Sequence, residues 1–357
     1  MRNPNRVLSY FFVSSLFVST HAMAGVVSLP ELSALNDQTS LSGLSSGGFM
    51  TSQYHIAYSE GLVGVGIVAG GPWQCAASDP DLTKPSMTAQ SVCVCNEQLY
   101  NCNSPNVELL TELAKTAEAE QRIDPLSNLS DDKVYLFSGT QDWTVPTVVV
   151  GAAERFYRDI GLDDGDITFI DTLAAGHGFA TTDNEMVTCK ESKVPYINFC
   201  HENQAFDILN FIYTDVEQGQ EYDPARLVEF DQTEFIAPDQ LKISSMSDSG
   251  FAYIPDTCEQ SDSDCRVHVA IHGCEQGVSS IGMRYVERTG YLELAEANDF
   301  IVIFPQVQRS LMSPFNPKGC WDFWGYTDNG EPPYQYYTKN AVQMQAIKAM
   351  IDRVTGS

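Results

Sequence analysis

Positive charge is scarce in this chain. Its 357 residues carry 20 lysines and arginines against 47 aspartates and glutamates, a formal net charge of −27. So acidic a surface, with no basic patch to offset it, argues against nucleic acid and anionic membrane surfaces as partners and favours neutral substrates. Histidine is rarer still, six in all, and none is spaced with cysteines as zinc ligands are. Cys93-Val94-Cys95 lacks such companions, so no metal and no cofactor are expected. Beyond the N-terminus no apolar run is long enough to span a bilayer, so no integral membrane segment is expected. Internal repeats are missing too, as is any Thr-, Pro- or Gly/Ser-rich linker leading to an appended binding module.

The first 24 residues do carry an apolar run, Val7 to Val18, behind Arg2 and Arg6 and ahead of Ala22-Met23-Ala24. That is the pattern of a secretory signal peptide over residues 1–24. Its removal takes two positive charges and brings the net charge to −29, leaving residues 25–357 as one large catalytic domain with no separate substrate-binding domain. The expected location is extracellular, with the periplasm open, and a monomer is the default. Ten cysteines in an exported chain point to disulfides. Cys258/Cys265 and Cys189/Cys200 are close enough to staple local loops. Cys75, Cys93, Cys95 and Cys102 share one long loop, and Cys274 and Cys320 would then bridge distant segments; the pairing stays open at this point.

Gly43-Leu44-Ser45-Ser46-Gly47 reads as a nucleophile elbow. A serine on a sharp strand-to-helix turn needs small neighbours so that its Oγ projects above the sheet. Thr39-Ser40-Leu41 ends a strand upstream, and Phe49, Met50, Tyr54, Ile56 and Ala57 mark a helix downstream whose N-terminal amides point at Ser45. A lone five-residue pattern of this kind is weak, because Gly/Ser-rich turns are common.

The rest of the chain supplies context. Val63–Val68, Lys133–Ser138 and Asp166–Leu173 read as buried strands, each followed by a turn, and Ala205–Tyr213 reads as a helix. Val228–Ile236, Phe251–Ile254, Arg266–Ile271 and Phe300–Phe304 add further strands. Tyr285–Asn298 and Asn340–Val354 read as amphipathic helices. An ordinary α/β-hydrolase runs from its first strands through an oxyanion loop to the elbow, then to the acid and base turns. Here the same cyclic order begins at the elbow and places His272-Gly273-Cys274 near the end. The expected fold is therefore an α/β-hydrolase fold, circularly permuted, which surface termini lying close together make feasible.

A serine at its ordinary pKa needs an adjacent imidazole, itself oriented by a carboxylate. His177, between two glycines just after a strand, is the expected base; a turn role is the plainer alternative. His55 in the elbow helix and His268 inside a strand read as structural. Asp142, at a strand tip, is the expected acid, against a simple Asx-turn, with Asp183 and Asp171 as fallbacks. Two amides should receive the developing negative charge, those of Ser46 and Cys274. The cluster Cys320-Trp321-Asp322-Phe323-Trp324-Gly325-Tyr326 is the densest in aromatic rings; such clusters are usually core, but Trp324 is expected to wall a substrate crevice.

Gly-Leu-Ser45-Ser-Gly-Gly, Ser-Gly-Thr-Gln-Asp142, Gly-His177-Gly, His-Gly-Cys274 and Gly-Cys320-Trp-Asp-Phe-Trp324-Gly-Tyr326 together resemble extracellular poly(3-hydroxybutyrate) depolymerases of the circularly permuted, single-domain type. The resemblance implies serine-dependent hydrolysis of a polyester or of hydroxybutyrate oligomers through an acyl-enzyme. It implies Ser45, Asp142 and His177 as the triad, Ser46 and Cys274 as the oxyanion donors, and Leu44, Trp324 and Tyr326 as residues facing substrate. Two other readings compete. One is a carboxylesterase of feruloyl or acetyl-xylan type, whose relatives share the loop and elbow in unpermuted order. The other is a non-catalytic binding protein on a hydrolase scaffold, which the intact Ser/Asp/His set disfavours.

Overall fold

The computed structural model describes residues 26–79, 85–96, 102–260, 263–328 and 330–357. The signal peptide expected over residues 1–24 lies outside them.

Eleven strands form two sheets among the described residues. In chain order they are β1 Thr39–Leu44, β2 Leu62–Val68, β3 Lys133–Phe137, β4 Ile167–Ile170, β5 Phe179–Thr181, β6 Val187–Thr188, β7 Ile197–Phe199, β8 Leu227–Asp231, β9 Ser249–Tyr253, β10 Arg266–Ile271 and β11 Phe300–Phe304. Eight of them make one sheet in the order β4-β3-β2-β1-β10-β11-β9-β8. The six strands from β4 to β11 in that order are parallel, and β9 and β8 add an antiparallel edge. The remaining three form a small sheet, β5-β7-β6.

The chain thus starts in the middle of its sheet. β1 to β4 build one half outward, and β8 to β11 return to build the other. β1 has β2 on one side and β10 on the other and is buried along its whole length, as a central parallel strand covered on both faces must be. The permuted order read from the sequence is this winding. It also brings the two ends of the fold together: Leu32 and Ala34 donate amide hydrogen bonds to the carbonyls of Arg353 and Val354 in the last helix, Val342–Thr355.

Most expected elements coincide with observed ones within a few residues. Two differ for evident reasons. The expected helix over Tyr285–Asn298 is broken into Arg284–Arg288 and Tyr291–Asn298, because Gly290 takes φ 92°, outside helical backbone. The strand expected through Ile236 stops at Asp231, whose carboxylate accepts the Thr233 amide (2.9 Å) and turns the chain into a short 3-10 turn, Gln232–Phe235.

The central strand also carries polar side chains into the core. Ser40 Oγ and Ser42 Oγ lie 2.7 and 2.8 Å from Nδ1 and Nε2 of His268 on β10, and Ser42 is bonded as well to the Tyr291 hydroxyl. His55 is equally buried, between the Tyr157 hydroxyl (3.0 Å) and Asp132 (2.9 Å). Both histidines are spent inside the structure, as their positions in a helix and a strand suggested.

Candidate active site

β1 delivers Ser45 into the turn before helix α1, Ser46–Ala57. Ser45 has φ 59° and ψ −121°, a conformation that costs a residue with a side chain about 1–3 kcal/mol. Two hydrogen bonds hold it there: its amide donates to the Val68 carbonyl (2.9 Å), and its own carbonyl accepts from Phe49 (2.9 Å). The flanking glycines are obligatory. A Cβ on Gly47 would overlap the carbonyl oxygens of Ile271 and His272, and one on Gly43 would overlap the Gly47 backbone. The close approach of β1, α1 and the β10 turn therefore depends on the absence of side chains.

The turns after β3 and β4 meet in the same way. A Cβ on Gly139 would overlap the Ala175 carbonyl oxygen, and the amides of Thr140 and Gln141 donate to Leu173 and Ala175 (both 2.9 Å). This contact carries Asp142 to His177, whose Nδ1 lies 2.7 Å from Asp142 Oδ2. The other carboxylate oxygen accepts the amides of Thr144 (2.8 Å) and Val145 (3.0 Å), which fixes its plane. A carboxylate only accepts, so the imidazole carries its proton on Nδ1 and leaves Nε2 free as a base. The His177 amide donates to Ser192 Oγ (2.8 Å), and the Tyr196 ring stands edge-on to the imidazole at 5.9 Å. Of the fallback acids, Asp183 is turned away onto Arg288.

Ser45, His177 and Cys274 share one cleft of about 580 Å³, together with Trp324, Phe323 and Tyr196. Cys274 follows a tightly determined turn. The Gly273 amide donates to Gln276 Oε1 (2.7 Å) and the Glu275 amide to the Lys318 carbonyl (2.7 Å), while among the described residues the Cys274 amide between them has no acceptor. His272 sets the same peptide from the other side. Its Nε2 accepts the Val307 amide (3.2 Å), so its Nδ1 carries the proton and donates to the Gly273 carbonyl (2.7 Å). Because a peptide is planar and trans, holding that carbonyl aims the Cys274 amide the opposite way. Burial keeps His272 neutral by pushing its pKa down to about 4. Ser46 opens α1, so its amide is one of the four that a helix leaves without an intrahelical acceptor.

Five disulfides join the ten cysteines: Cys75–Cys93, Cys95–Cys102, Cys189–Cys200, Cys258–Cys265 and Cys274–Cys320. The last ties the Cys274 turn to the aromatic segment. There Asp322 is buried and collects the amides of Trp324 (3.1 Å), Gly325 (2.7 Å), Tyr326 (3.1 Å) and Thr327 (2.9 Å). This wraps the chain around one carboxylate and turns Trp324 into the cleft. Burial raises the Asp322 pKa while the bonds to Thr327, Trp324 and Gly325 oppose the rise.

Of the residues expected to face substrate, Leu44 and Tyr326 do not line this cleft, although Tyr326 lines the groove on the other side of Trp324. Leu44 is 1% exposed and packs in the core. Tyr326 stands behind Trp324, with ring centroids 5.0 Å apart, and its hydroxyl donates to the Cys320 carbonyl (2.7 Å). Neither Tyr196 nor Gln276 sits in a motif, and only the folded chain brings Tyr196 to the cleft and Gln276 behind its Cys274 turn.

A serine held at a strained turn after a central parallel strand, with a carboxylate–imidazole pair from neighbouring strand ends on the same cleft, defines an α/β-hydrolase, here entered at the strand that bears the serine. No protein-family model matches the chain. It is 34% identical, over 94% of its length, to the poly(3-hydroxybutyrate) depolymerase of Delftia acidovorans, and spans 63% of that protein. To the polyhydroxybutyrate depolymerase of Talaromyces funiculosus it is 29% identical over 93% of its length, spanning 94% of the relative. The crystal structure of PHB depolymerase from Penicillium funiculosum superposes with a TM-score of 0.81 at 28% identity, covering 92% of this chain and 99% of that one. A serine-to-alanine PHB depolymerase complexed with an R3HB trimer gives 0.80, with the same identity and coverage. Along nearly its whole length the chain is similar to poly(3-hydroxybutyrate) depolymerases, and it spans less than two thirds of the Delftia acidovorans protein.

Proposed function

We propose that this chain is an exported serine esterase that hydrolyses the ester bonds of poly(3-hydroxybutyrate) or its oligomers to 3-hydroxybutyrate and short oligomers. The observation that carries the reading is the Asp142–His177 hydrogen bond on the cleft that also holds Ser45, Cys274 and Trp324. Ser45 Oγ attacks the ester carbonyl carbon as His177 Nε2 takes its proton. The amides of Ser46 and Cys274 receive the oxyanion, each such donor contributing about 3 kcal/mol to the barrier reduction. Asp142 stabilises the imidazolium, which returns the proton to the leaving alkoxide. Water, deprotonated by the same imidazole, then cleaves the acyl-enzyme.

Polymer rather than oligomer alone is favoured by a second groove that adjoins the cleft across Trp324. It presents Met87, Leu311, Met312 and Phe315, which are 61–77% exposed. An apolar surface of this kind suits adsorption to a solid polyester by the catalytic unit itself. The single large sheet with its helices supports reading residues 25–357 as one catalytic domain, and five disulfides support export to an oxidising compartment.

The test is mass spectrometry of products after incubating wild type and Ser45→Ala with amorphous poly(3-hydroxybutyrate) and with a 3-hydroxybutyrate trimer. Release of hydroxybutyrate from both substrates by wild type alone is expected. Cleavage of p-nitrophenyl esters without release from either would overturn the polyester assignment and leave the triad standing.

A further inference from the structure

We infer that Gln276 is the positioning residue that sets the distance between the oxyanion donor at Cys274 and the base at His177. The inference deepens the proposed serine-esterase reading and rests on it.

Three features single out this side chain. It is 1% exposed, and its amide spans two loops far apart in sequence. Oε1 accepts the Gly273 amide (2.7 Å), one residue before Cys274. Nε2 donates to the carbonyls of Pro195 (2.8 Å) and Tyr196 (3.0 Å). The same Tyr196 carbonyl accepts the Phe179 amide (2.9 Å), two residues after His177, and the Tyr196 ring lies edge-on to the imidazole. One planar amide therefore links the oxyanion turn to the strand and the ring that flank the base.

The turn it holds has little slack. A Cβ on Gly273 would come within 2.9 Å of Gln276 Oε1, 3.0 Å of the Leu44 carbonyl oxygen and 3.2 Å of Ser45 Cβ. The Gly273 peptide is thus wedged between Gln276 and the Ser45 turn, and its neighbour Glu275 holds φ 61°. Losing the link leaves the buried Gly273 amide and the Pro195 carbonyl without their partner, strips the Tyr196 carbonyl of one of its two donors and lets the two loops separate. Misplacement of reacting groups by about 1 Å lowers rate on the order of 10²-fold while substrate affinity, set by the cleft walls, stays. No other residue type offers the same pattern at this length: glutamate keeps the acceptor but, when ionised, gives no donor, and leucine gives neither.

The experiment compares wild type, Gln276→Leu, Gln276→Glu and Ser45→Ala in hydrolysis of p-nitrophenyl butyrate. kcat and KM are measured across pH, together with the rate of inactivation by a p-nitrophenyl alkylphosphonate and the Tm of each protein. Both Gln276 variants should lose about 10- to 100-fold in kcat and in phosphonate inactivation, with KM within about twofold. The ratio of Gln276→Glu to wild type should rise as pH falls, because the protonated acid regains one donor toward Pro195 or Tyr196, and the Gln276→Leu ratio should stay flat. Wild-type kcat in both variants, or a loss that follows Tm and leaves both ratios flat with pH, overturns the inference while Ser45→Ala remains inactive. Activity retained in Ser45→Ala overturns the serine-esterase reading and this inference with it.

Discussion

Single residues here are determined by what their neighbours leave them to bond. Asp322 shows this most directly, because one buried carboxylate takes four consecutive amides from Trp324 to Thr327. In Asp322→Ala those donors lose their acceptor in a site closed to bulk water, which costs about 1–3 kcal/mol or more, and Trp324 loses its fixed position. A lower Tm is expected, with a several-fold higher KM for hydroxybutyrate trimer and little change in kcat for a small p-nitrophenyl ester. Steady-state kinetics on the two substrates checks it. Buried histidines set the acid limit. Burial lowers His268 to about 3 and His272 to about 4, below the value of about 6.5 in an unfolded chain. The native state then binds fewer protons than the unfolded one, so their contribution is whole above about pH 6.5 and is lost as pH falls toward 4 and 3. Asp328, raised by burial to about 6, acts in the opposite sense: its contribution is present below about pH 4 and lost as pH rises through 6. Asp207, Glu293 and Asp322 are raised by burial in the same sense as Asp328 and oppose the histidines, whose own part is a fall in the urea midpoint between pH 7 and pH 4.5. In His268→Gln that fall should be smaller, and an undiminished fall would show that His268 is not what limits acid stability.

At the level of elements, the site is a set of strand ends brought together by turns that tolerate no side chain. Gly47→Ala puts a Cβ against the backbone of Ile271 and His272, so it should destabilise the protein and abolish esterase activity. Gly165→Ala, where an added Cβ meets nothing within 4 Å, should leave both unchanged; calorimetry and an ester assay distinguish the two. The Cys274–Cys320 bridge, which closes a separation of 46 residues, should behave as a rigid strut for the Cys274 amide. Replacing both cysteines by alanine is expected to cost about 2–5 kcal/mol and to lower kcat more than it raises KM. Unchanged kcat would mean that the turn keeps its shape through Gln276 and His272 alone. Much of this level was legible beforehand. Gly43, Gly47 and the strand-tip residues Asp142 and His177 announce themselves because each solves a local problem of turn geometry. The three-stranded sheet β5-β7-β6 was not legible, because strands of two or three residues carry no periodicity. Neither Leu44 nor Tyr326 lines the cleft that holds Ser45, and sequence adjacency to Ser45 and Trp324 does not say which side of the backbone faces it.

Across the whole molecule the dominant property is the charge of −27. Self-repulsion in so acidic a chain destabilises the compact state and is screened by salt. Raising NaCl from about 0.02 to about 0.5 M, where the screening length falls to a few ångströms, should therefore raise Tm. A Tm that does not rise would mean that the exposed ion pairs, such as Arg266 with Asp215, already offset the repulsion. The winding of the sheet belongs to this scale too. Starting at β1 and returning through β8 to β11 leaves the central strand first in sequence while it sits between β2 and β10 in the sheet. The sequence alone determined the chemistry on offer and its cyclic order. A serine between small residues, an aspartate and a histidine at strand tips, and a permuted His-Gly-Cys turn are local requirements written in local residues. What only tertiary structure decided was which side chains complete the cleft and how the donors are aimed. The Gln276 link, the ring of Tyr196 beside His177 and the orientation of the Cys274 peptide arise from segments about 20 to 80 residues apart in chain, and contacts of that range leave no periodic or spacing signal in any one of them.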